Sequence, residues 1–227
     1  MIIRVVQIFA GLFTEGQTDI RFLQNIVQNT LEAVAFHDCS GQFDIELTPI
    51  TINKTGLGFI EQVLEASKKG QEEFGMMILC VQADADRKTL KETYLHKINP
   101  CQIELEKQPE NDYCKILVAV VPIQETEAWM LADKELLKEE IGTNKTDNEL
   151  GINRNPETIA NPKEVIEKAI QIARKNLTIK RRKDLTIADL YSAIGQKIDL
   201  DKLESLSSYH DFKGNVREVF RKLNLLH

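Results

Sequence analysis

The sequence predicts an α/β fold: a mostly parallel four-stranded sheet flanked by helices, with a helical C-terminal extension. Apolar, β-branched segments alternate with helix-like segments through the first half of the chain. This alternation is typical of parallel β-α units with right-handed crossovers. Strand signals stop near residue 139, and only helix-like and loop-like segments follow. We therefore predict an α/β domain over residues 1–140 and a helical extension packed on it over residues 141–227.

The first two strands differ in their patterns. Strand one, at about 3–13, is apolar and β-branched, and the helix after it, at about 18–35, has one apolar stripe at three- to four-residue spacing. Strand two, at about 43–48, alternates apolar and polar residues, which predicts one exposed face. Pro49 favours an edge position for this strand, because proline cannot donate a hydrogen bond to a neighbouring strand.

The remaining elements follow in the same way. Strand three, at about 76–81, is almost wholly apolar, which predicts that helices cover both of its faces. Strand four is expected at about 115–121. Helices are expected at about 59–69, 88–97, 125–138, 162–175, 186–194, 200–206 and 214–223.

The bulk composition limits the function classes. The chain has 227 residues, 42% of them hydrophobic, which is enough to bury a core. Its net charge of -6 excludes binding driven by overall basicity, so a nucleic-acid partner needs a local basic patch. Four cysteines without a CxxC pair indicate buried thiols in a reducing, cytoplasmic location. No apolar run approaches the ~18 residues that a membrane span requires.

Acidic residues follow two of the predicted strands. Glu15 comes directly after strand one, and Asp84 and Asp86 come after strand three. The carboxyl ends of parallel strands meet at one edge, where such sheets place their sites. Clustered carboxylates repel one another unless a cation shares them, which predicts a Mg²⁺ or Mn²⁺ site. Acidic residues also cap helices after strands, and capping explains either motif alone. Both motifs in one sheet favour the metal site.

Glu125 and Glu127 begin the helix after strand four, at the same predicted edge. Acidic residues are favoured in a first helical turn, so the helix dipole is an alternative explanation for both. Apolar neighbours predict that Glu127 is partly buried and needs a partner or a metal. Trp129 is predicted to pack in the core.

Three sets of basic residues are candidate substrate contacts. Lys54 lies in a glycine-containing loop that resembles a phosphate-binding loop but lacks its spacing, so an ordinary turn is the alternative. Arg87 either neutralises a phosphate or pairs with an acid. Six cations lie within ten residues: Arg174, Lys175, Lys180, Arg181, Arg182 and Lys183. This cluster is either a salt-dependent contact to a phosphate backbone or a solvated linker.

Three of these segments together resemble a known family. They are Thr-Glu-Gly-Gln-Thr-Asp at residues 14–19, Asp-Ala-Asp at 84–86 and Glu-Thr-Glu-Ala-Trp-Met-Leu-Ala-Asp at 125–133. Their order resembles the Toprim (topoisomerase–primase) superfamily, with its Rossmann-like sheet. The chain is most similar to the stand-alone domain-of-unknown-function family 4276, which is related to the nuclease part of the OLD (overcoming lysogenization defect) proteins. The resemblance covers about residues 1–135.

The resemblance implies roles for individual residues. Glu15 would serve in general acid/base work or metal binding, Asp84 and Asp86 would hold Mg²⁺, and Glu127 would be a further ligand or would support one. The related nucleases also use a lysine to stabilise the transition state. No residue here matches it, and the candidates are Lys54, Arg87 and the cluster at 180–183. Topoisomerase chemistry is not expected, because no glycine follows the Asp-x-Asp pair at the required position.

The expected activity is therefore metal-dependent hydrolysis of phosphodiester bonds in DNA or RNA. Stand-alone nucleases of this kind resemble components of bacterial anti-phage systems that work with an ATPase. The chain has no Walker motif, so an ATPase would be a separate partner protein. Two alternatives remain open: another Mg²⁺-dependent phosphoryl-transfer enzyme that acts on a small nucleotide, and a non-catalytic module that binds a partner.

Overall fold

The computed structural model describes residues 5–86, 88–179, 181 and 184–226. Within these ranges, four strands form one sheet: β1 (Val5–Phe13), β2 (Gln42–Pro49), β3 (Ile78–Gln82) and β4 (Leu117–Val120). Their order is β2-β1-β3-β4, and every pairing is parallel. This confirms the predicted α/β class and its four-stranded sheet. It also confirms the edge position predicted for the second strand.

The described helices lie between and after these strands. They are α1 (Gln17–Asp38), α2 (Phe59–Phe74), α3 (Leu90–Thr93), α4 (Asn99–Lys107), α5 (Glu127–Met130), α6 (Lys134–Ile141), α7 (Asp147–Leu150), α8 (Pro162–Ala173), α9 (Ile187–Lys197), α10 (Leu200–Leu203) and α11 (Ser207–Lys222). A π-helical turn, Tyr94–Ile98, joins α3 to α4, and a 3-10 turn covers Pro156–Thr158. None of the helices in the described ranges is long and apolar enough to cross a bilayer.

Several predicted helix boundaries were wrong; the helix expected at 59–69, for example, ends at Phe74. The helix expected at 88–97 begins at Leu90 and continues through the π-helical turn into α4, whose first turn contains Pro100. The helix expected at 125–138 is divided into α5 and α6. There Asp133 caps the second helix by accepting a hydrogen bond of 3.0 Å from the Leu136 N–H. The last helix begins at Ser207 rather than near residue 214.

Alternating side chains of the strands build two cores, one on each face of the sheet. Leu12 and Cys80 point into the larger core with α1 and the C-terminal helices, whereas their neighbours Phe13 and Val81 point into a smaller core with α2 and α4. Trp129 is fully buried in the larger core, as predicted, and its indole N–H donates to the Ser208 hydroxyl over 2.7 Å. The fold is thus a three-layer sandwich.

The larger core joins the sheet to the helices after residue 141. It contains Leu12 of β1 and Phe22 of α1 together with Ile194 of α9 and Phe212 of α11. α9 packs on α1, and α11 packs on β4 and α1. The C-terminal helices therefore cover one face of the sheet, while the predicted boundary at residue 140 stays a prediction.

The contact between α1 and α9 is made backbone to backbone at Gly195. A Cβ atom at this position would lie 2.4 Å from the carbonyl oxygen and 2.8 Å from the Cα of Phe22. Backbone atoms in the middle of a helix cannot move aside as a flexible side chain can. Only glycine therefore allows α9 to pack this closely on the helix that follows Glu15.

We expect Gly195→Ala to lower the free energy of unfolding by about 1–3 kcal/mol, because the added methyl group forces the two helices apart. Gly214→Ala in α11 is the matched control. Its Cβ would meet nothing within 4 Å, and it should raise stability by up to about 1 kcal/mol through helix propensity. Urea denaturation measures both changes. Equal effects of the two substitutions would show that the contact at Gly195 is not close.

Candidate active site

The candidate site lies where β1 and β3 end side by side. From β1 the chain crosses to β2 on one side, and β3 lies on the other side of β1. The ends of β1 and β3 therefore form a topological switch point, the crevice in which open α/β sheets bind ligands. Glu15 follows β1, Asp84 follows β3 and Glu127 follows β4. The topology thus places the predicted acidic residues along one edge.

Gln82 connects the loops after β1 and β3. It is fully buried at the last position of β3. Its Oε1 accepts a hydrogen bond from the Glu15 N–H over 2.9 Å, and its Nε2 donates to Asp84 Oδ1 over 2.8 Å. The Asp84 N–H in turn donates to Glu15 Oε2 over 3.0 Å. Glu15 and Asp84 are therefore held next to each other, and the Thr126 hydroxyl adds a donor 3.4 Å from Asp84 Oδ1.

Lys97 lies at the centre of these carboxylates. Its Nζ is 2.9 Å and 3.2 Å from the two carboxylate oxygens of Glu15, and 3.0 Å from the backbone carbonyl oxygen of Asp84. It also lies 3.7 Å from Asp86 Oδ2. No sequence pattern singles out this lysine. It is one of several polar residues on a helix, and nothing in its sequence position indicates that it faces the sheet edge.

The π-helical turn that carries Lys97 is held by α11. The Tyr94 hydroxyl donates to Asp211 Oδ2 over 2.5 Å and accepts from the Asn215 amide, which also donates to the carbonyl oxygen of Ala119 over 3.3 Å. Burial raises the pKa of Tyr94, so its hydroxyl stays protonated. π-helical turns are rare and often occur at functional sites. Here the turn, anchored through Tyr94, places Lys97 among the carboxylates.

Two of the acidic side chains are protonated more readily than ordinary aspartates. Burial raises the pKa of Asp84 from 3.8 to about 8, and the negative charges of Asp19 and Glu15 add to the effect. Burial also raises the pKa of Asp19 to about 6, opposed by a hydrogen bond with the Thr126 side chain. Burial therefore disfavours the charged forms of both carboxyl groups when no cation is bound beside them.

Glu127 and Glu125 flank this group from the start of α5. Glu127 is buried, and its Oε1 accepts a hydrogen bond from the Tyr191 hydroxyl of α9. Burial raises the pKa of Glu125, whose buried Oε2 has no hydrogen-bond partner within the described residues. Glu127 is thus fixed by the C-terminal helices, whereas Glu125 has an unused acceptor.

Two non-glycine residues at this edge adopt left-handed backbone conformations. They are Asp86, with φ of 53°, and Gln124, with φ of 69°. The Asp86 N–H donates to the Gln124 carbonyl oxygen over 2.9 Å, so the two residues hold each other in place. Such conformations are uncommon outside glycine and tend to cluster at functional sites.

The donor atoms fit a hard divalent cation, but they do not yet surround one point. Among the described residues, no three histidine, cysteine, aspartate or glutamate side chains are placed to hold a metal ion together. Instead, the Lys97 ammonium contacts both Glu15 and Asp86. Carboxylate oxygens are the ligands that Mg²⁺ and Mn²⁺ prefer. A bound ion would need Lys97 or the carboxylates to change their rotamers.

Lys54 lies beside Glu15 but does not form a phosphate-binding loop. Its Nζ donates to the carbonyl oxygens of Thr14 and Glu15 over 2.6 Å and 2.8 Å, and lies 4.8 Å from the centre of the Phe13 ring. Burial lowers its pKa. Lys54 therefore braces the loop after β1 and borders a cavity of about 320 Å³ next to Glu15.

The structure does not bring the described residues of the predicted basic cluster at 174–183 to this edge. Arg181 is exposed, and its carbonyl oxygen accepts a hydrogen bond of 3.1 Å from Arg174 Nε. Arg174 follows α8, whose Lys163 N–H bonds to Glu125, so it lies roughly 17 Å further along the helix at 1.5 Å per residue. The remaining predicted contacts, Arg87, Lys180, Arg182 and Lys183, lie outside the described residues. Their roles stay predictions.

A scan against protein-family models matches residues 14–212 with the model described as Domain of unknown function (DUF4276). The chain belongs to this family. The DUF4276 match covers every described residue of the candidate site and continues through α9 into α11. Searches of curated proteins and of solved structures find no significant match to this DUF4276 chain.

We expect Tyr94→Phe to destabilise this DUF4276 chain by about 1.5–3 kcal/mol, because it removes the donor to the Asp211 carboxylate. Tyr113→Phe is the matched control, since within the described part of the chain the Tyr113 hydroxyl makes no hydrogen bond. It should change stability by less than about 0.5 kcal/mol. Chemical denaturation measures both. Equal effects would mean that the contact between Tyr94 and α11 contributes nothing.

We expect Asp84→Asn to stabilise the metal-free chain by up to about 5 kcal/mol at pH 8, because the fold raises the pKa of Asp84 from 3.8 to about 8 and each unit corresponds to about 1.4 kcal/mol. The folded chain binds a proton at Asp84 that the unfolded chain has lost, so stability falls as the pH rises from about 4 towards 8. The asparagine variant should lack this fall. Asp44→Asn, at an exposed position of β2, is the control and should leave the pH profile unchanged. Thermal denaturation from pH 5 to pH 8 tests this expectation.

Proposed function

We propose that this DUF4276 chain is a Mg²⁺- or Mn²⁺-dependent nuclease that hydrolyses phosphodiester bonds in DNA or RNA. The observation that carries the proposal is the Lys97 ammonium at the switch point of the sheet, which contacts the Glu15 and Asp86 carboxylates and the backbone carbonyl oxygen of Asp84. A lysine among metal-binding carboxylates is what the similarity to Toprim nucleases implies. The kinship with the Toprim superfamily is part of the proposal.

The metal would be held by Glu15, Asp84 and Asp86, with Glu127 as a further ligand or support. When bound, it supplies Lewis-acid polarisation of the phosphoryl oxygens and lowers the pKa of water. The buried, unpartnered oxygen of Glu125 and the raised pKa of Asp84 support the presence of a cation, because both groups lack sufficient positive charge nearby.

Residues of the chain would accept the proton, stabilise the transition state and orient the metal ligands. Glu15, next to the Asp84 N–H, is placed to accept a proton from the attacking water. Lys97 would donate hydrogen bonds to the phosphoryl oxygens as negative charge develops on them, which is electrostatic stabilisation of the transition state. Gln82 and Thr126 hold Asp84 in one orientation through its Oδ1. None of these roles requires a covalent intermediate.

A separate ATPase partner in bacterial phage defence and a cytoplasmic location also belong to the proposal. The similarity to OLD-type nucleases supports the partner. The second candidate function is phosphoryl transfer on a small nucleotide, which the cavity of about 320 Å³ next to Glu15 favours. The third, a non-catalytic module, would need no metal.

The deciding experiment incubates purified protein with labelled plasmid, single-stranded DNA and RNA, with and without Mn²⁺. We expect metal-dependent cleavage that falls by about 100-fold or more in Glu15→Gln, Asp84→Asn and Lys97→Gln, because each change removes a charge at the reacting phosphate. Lys91→Gln, at an exposed position on α3, is the matched control for Lys97 and should cleave at the parent rate. Cleavage that survives the first two substitutions would refute the nuclease assignment.

The same preparations separate the alternatives. Turnover of nucleoside triphosphates or cyclic nucleotides, without cleavage of polymers, would identify a small-nucleotide enzyme. A metal that binds the folded chain must raise its unfolding temperature. If millimolar Mn²⁺ leaves this temperature unchanged in the parent protein and no substrate is cleaved, the non-catalytic alternative is correct.

A further inference from the structure

The cavity next to Glu15 lies between the loops that follow β1 and β2. Its volume is about 320 Å³, near the lower end of the ~300–1,000 Å³ typical of small-molecule sites. Thr14 and Glu15 line one side of it, and residues 50–54 line the other. Because these loops follow adjacent parallel strands, the cavity opens at the same edge of the sheet as the carboxylates.

Three isoleucines form the apolar part of this cavity: Ile20 of α1, and Ile50 and Ile52, which follow β2. Ile20 and Ile52 are half-buried, whereas Ile50 is buried in the smaller core. Gln17 and Asn53, both exposed, lie at the rim together with Thr51. A nucleobase has two apolar faces and an edge of hydrogen-bonding groups, so it is buried best between apolar walls with polar groups at their border.

Lys54 lines this cavity next to Glu15, and its ammonium group can donate one more hydrogen bond. Lys54 Nζ has three N–H donors, and two of them bond to the carbonyl oxygens of Thr14 and Glu15. The third can reach a ligand phosphate without disturbing that brace. A ligand in the cavity would thus have its apolar part between the isoleucines and its phosphate towards Lys54 and Glu15.

We infer that this cavity binds the nucleoside next to the scissile phosphodiester, and that this nucleotide must be unpaired. The inference rests on the proposed nuclease function. The cavity has room for one nucleoside and not for a base pair, so a base inside it has left its stack and its partner. The substrate class is therefore single-stranded nucleic acid, or a duplex end or junction with unpaired nucleotides.

A second cavity provides a control. It has a volume of about 540 Å³ and is lined by Phe59, Ile60 and Leu64 together with charged residues of both signs, Glu61, Glu104 and Lys97. It borders neither Glu15 nor Lys54, so a base bound in the cavity next to Glu15 would not contact it. Ile60 has the same side chain and the same intermediate exposure as Ile20.

The test measures binding by titration calorimetry in Mg²⁺, so it does not depend on turnover. Its probes are a nucleoside 5′-monophosphate, a nucleoside 3′-monophosphate, ribose 5-phosphate and inorganic phosphate. We expect at least one nucleotide to bind about tenfold or more tightly than ribose 5-phosphate, because the base buries apolar surface between the isoleucines. Ile20→Trp should remove this preference by filling the cavity, without weakening the binding of inorganic phosphate. Ile60→Trp should retain it.

Equal affinities for the nucleotides and ribose 5-phosphate would overturn the inference, and so would a preference that survives Ile20→Trp. Ile52→Trp, which fills the cavity from the opposite wall, guards against a folding defect and should reproduce the loss. Retained cleavage in Glu15→Gln and Asp84→Asn would instead refute the proposed catalytic site while leaving the binding result intact. Finally, an unpaired oligonucleotide should be cleaved faster than the same sequence in a duplex, and the reverse order would contradict the inference.

Discussion

Repulsion between carboxylates is the constraint on which the rest of this structure depends. Glu15, Asp19, Asp84 and Glu127 interact electrostatically at one edge of the sheet, and burial makes each charge harder to solvate. The fold holds them together with directed donors: backbone N–H groups, the Gln82 amide, the Thr126 hydroxyl and the Lys97 ammonium. Such an arrangement costs stability, which is common where a protein keeps a site ready for a ligand.

The C-terminal helices are part of this solution. Tyr191 of α9 donates to Glu127, and Asp211 and Asn215 of α11 hold Tyr94, which precedes Lys97 in the π-helical turn. Groups from beyond residue 141 therefore orient the acidic and basic groups that come before it. The family match likewise extends through both halves of the chain, as far as residue 212.

Much of this arrangement could be predicted from local patterns. Alternating strands and helices predict a parallel sheet, and a parallel sheet brings the segments after strands one and three to one edge, where Glu15 and Asp84 lie. Gln82 could also have been noticed, because a buried amide at the end of an apolar strand must find hydrogen-bond partners. Lys97 could not. Its position depends on a π-helical turn held by Asp211, which is 117 residues away from Tyr94 in the sequence.

The hydrogen bonds beyond the ends of β3 and β4 determine how rigid the edge of the sheet is. The N–H groups of Ala83, Ala85 and Asp86 donate to the carbonyl oxygens of residues 120, 122 and 124. These hydrogen bonds join the loop after β3 to the loop after β4 beyond the ends of the two strands. Neither of these two loops can move by itself. If the proposed nuclease function holds, the substrate rather than these loops would therefore do most of the bending as the two come together.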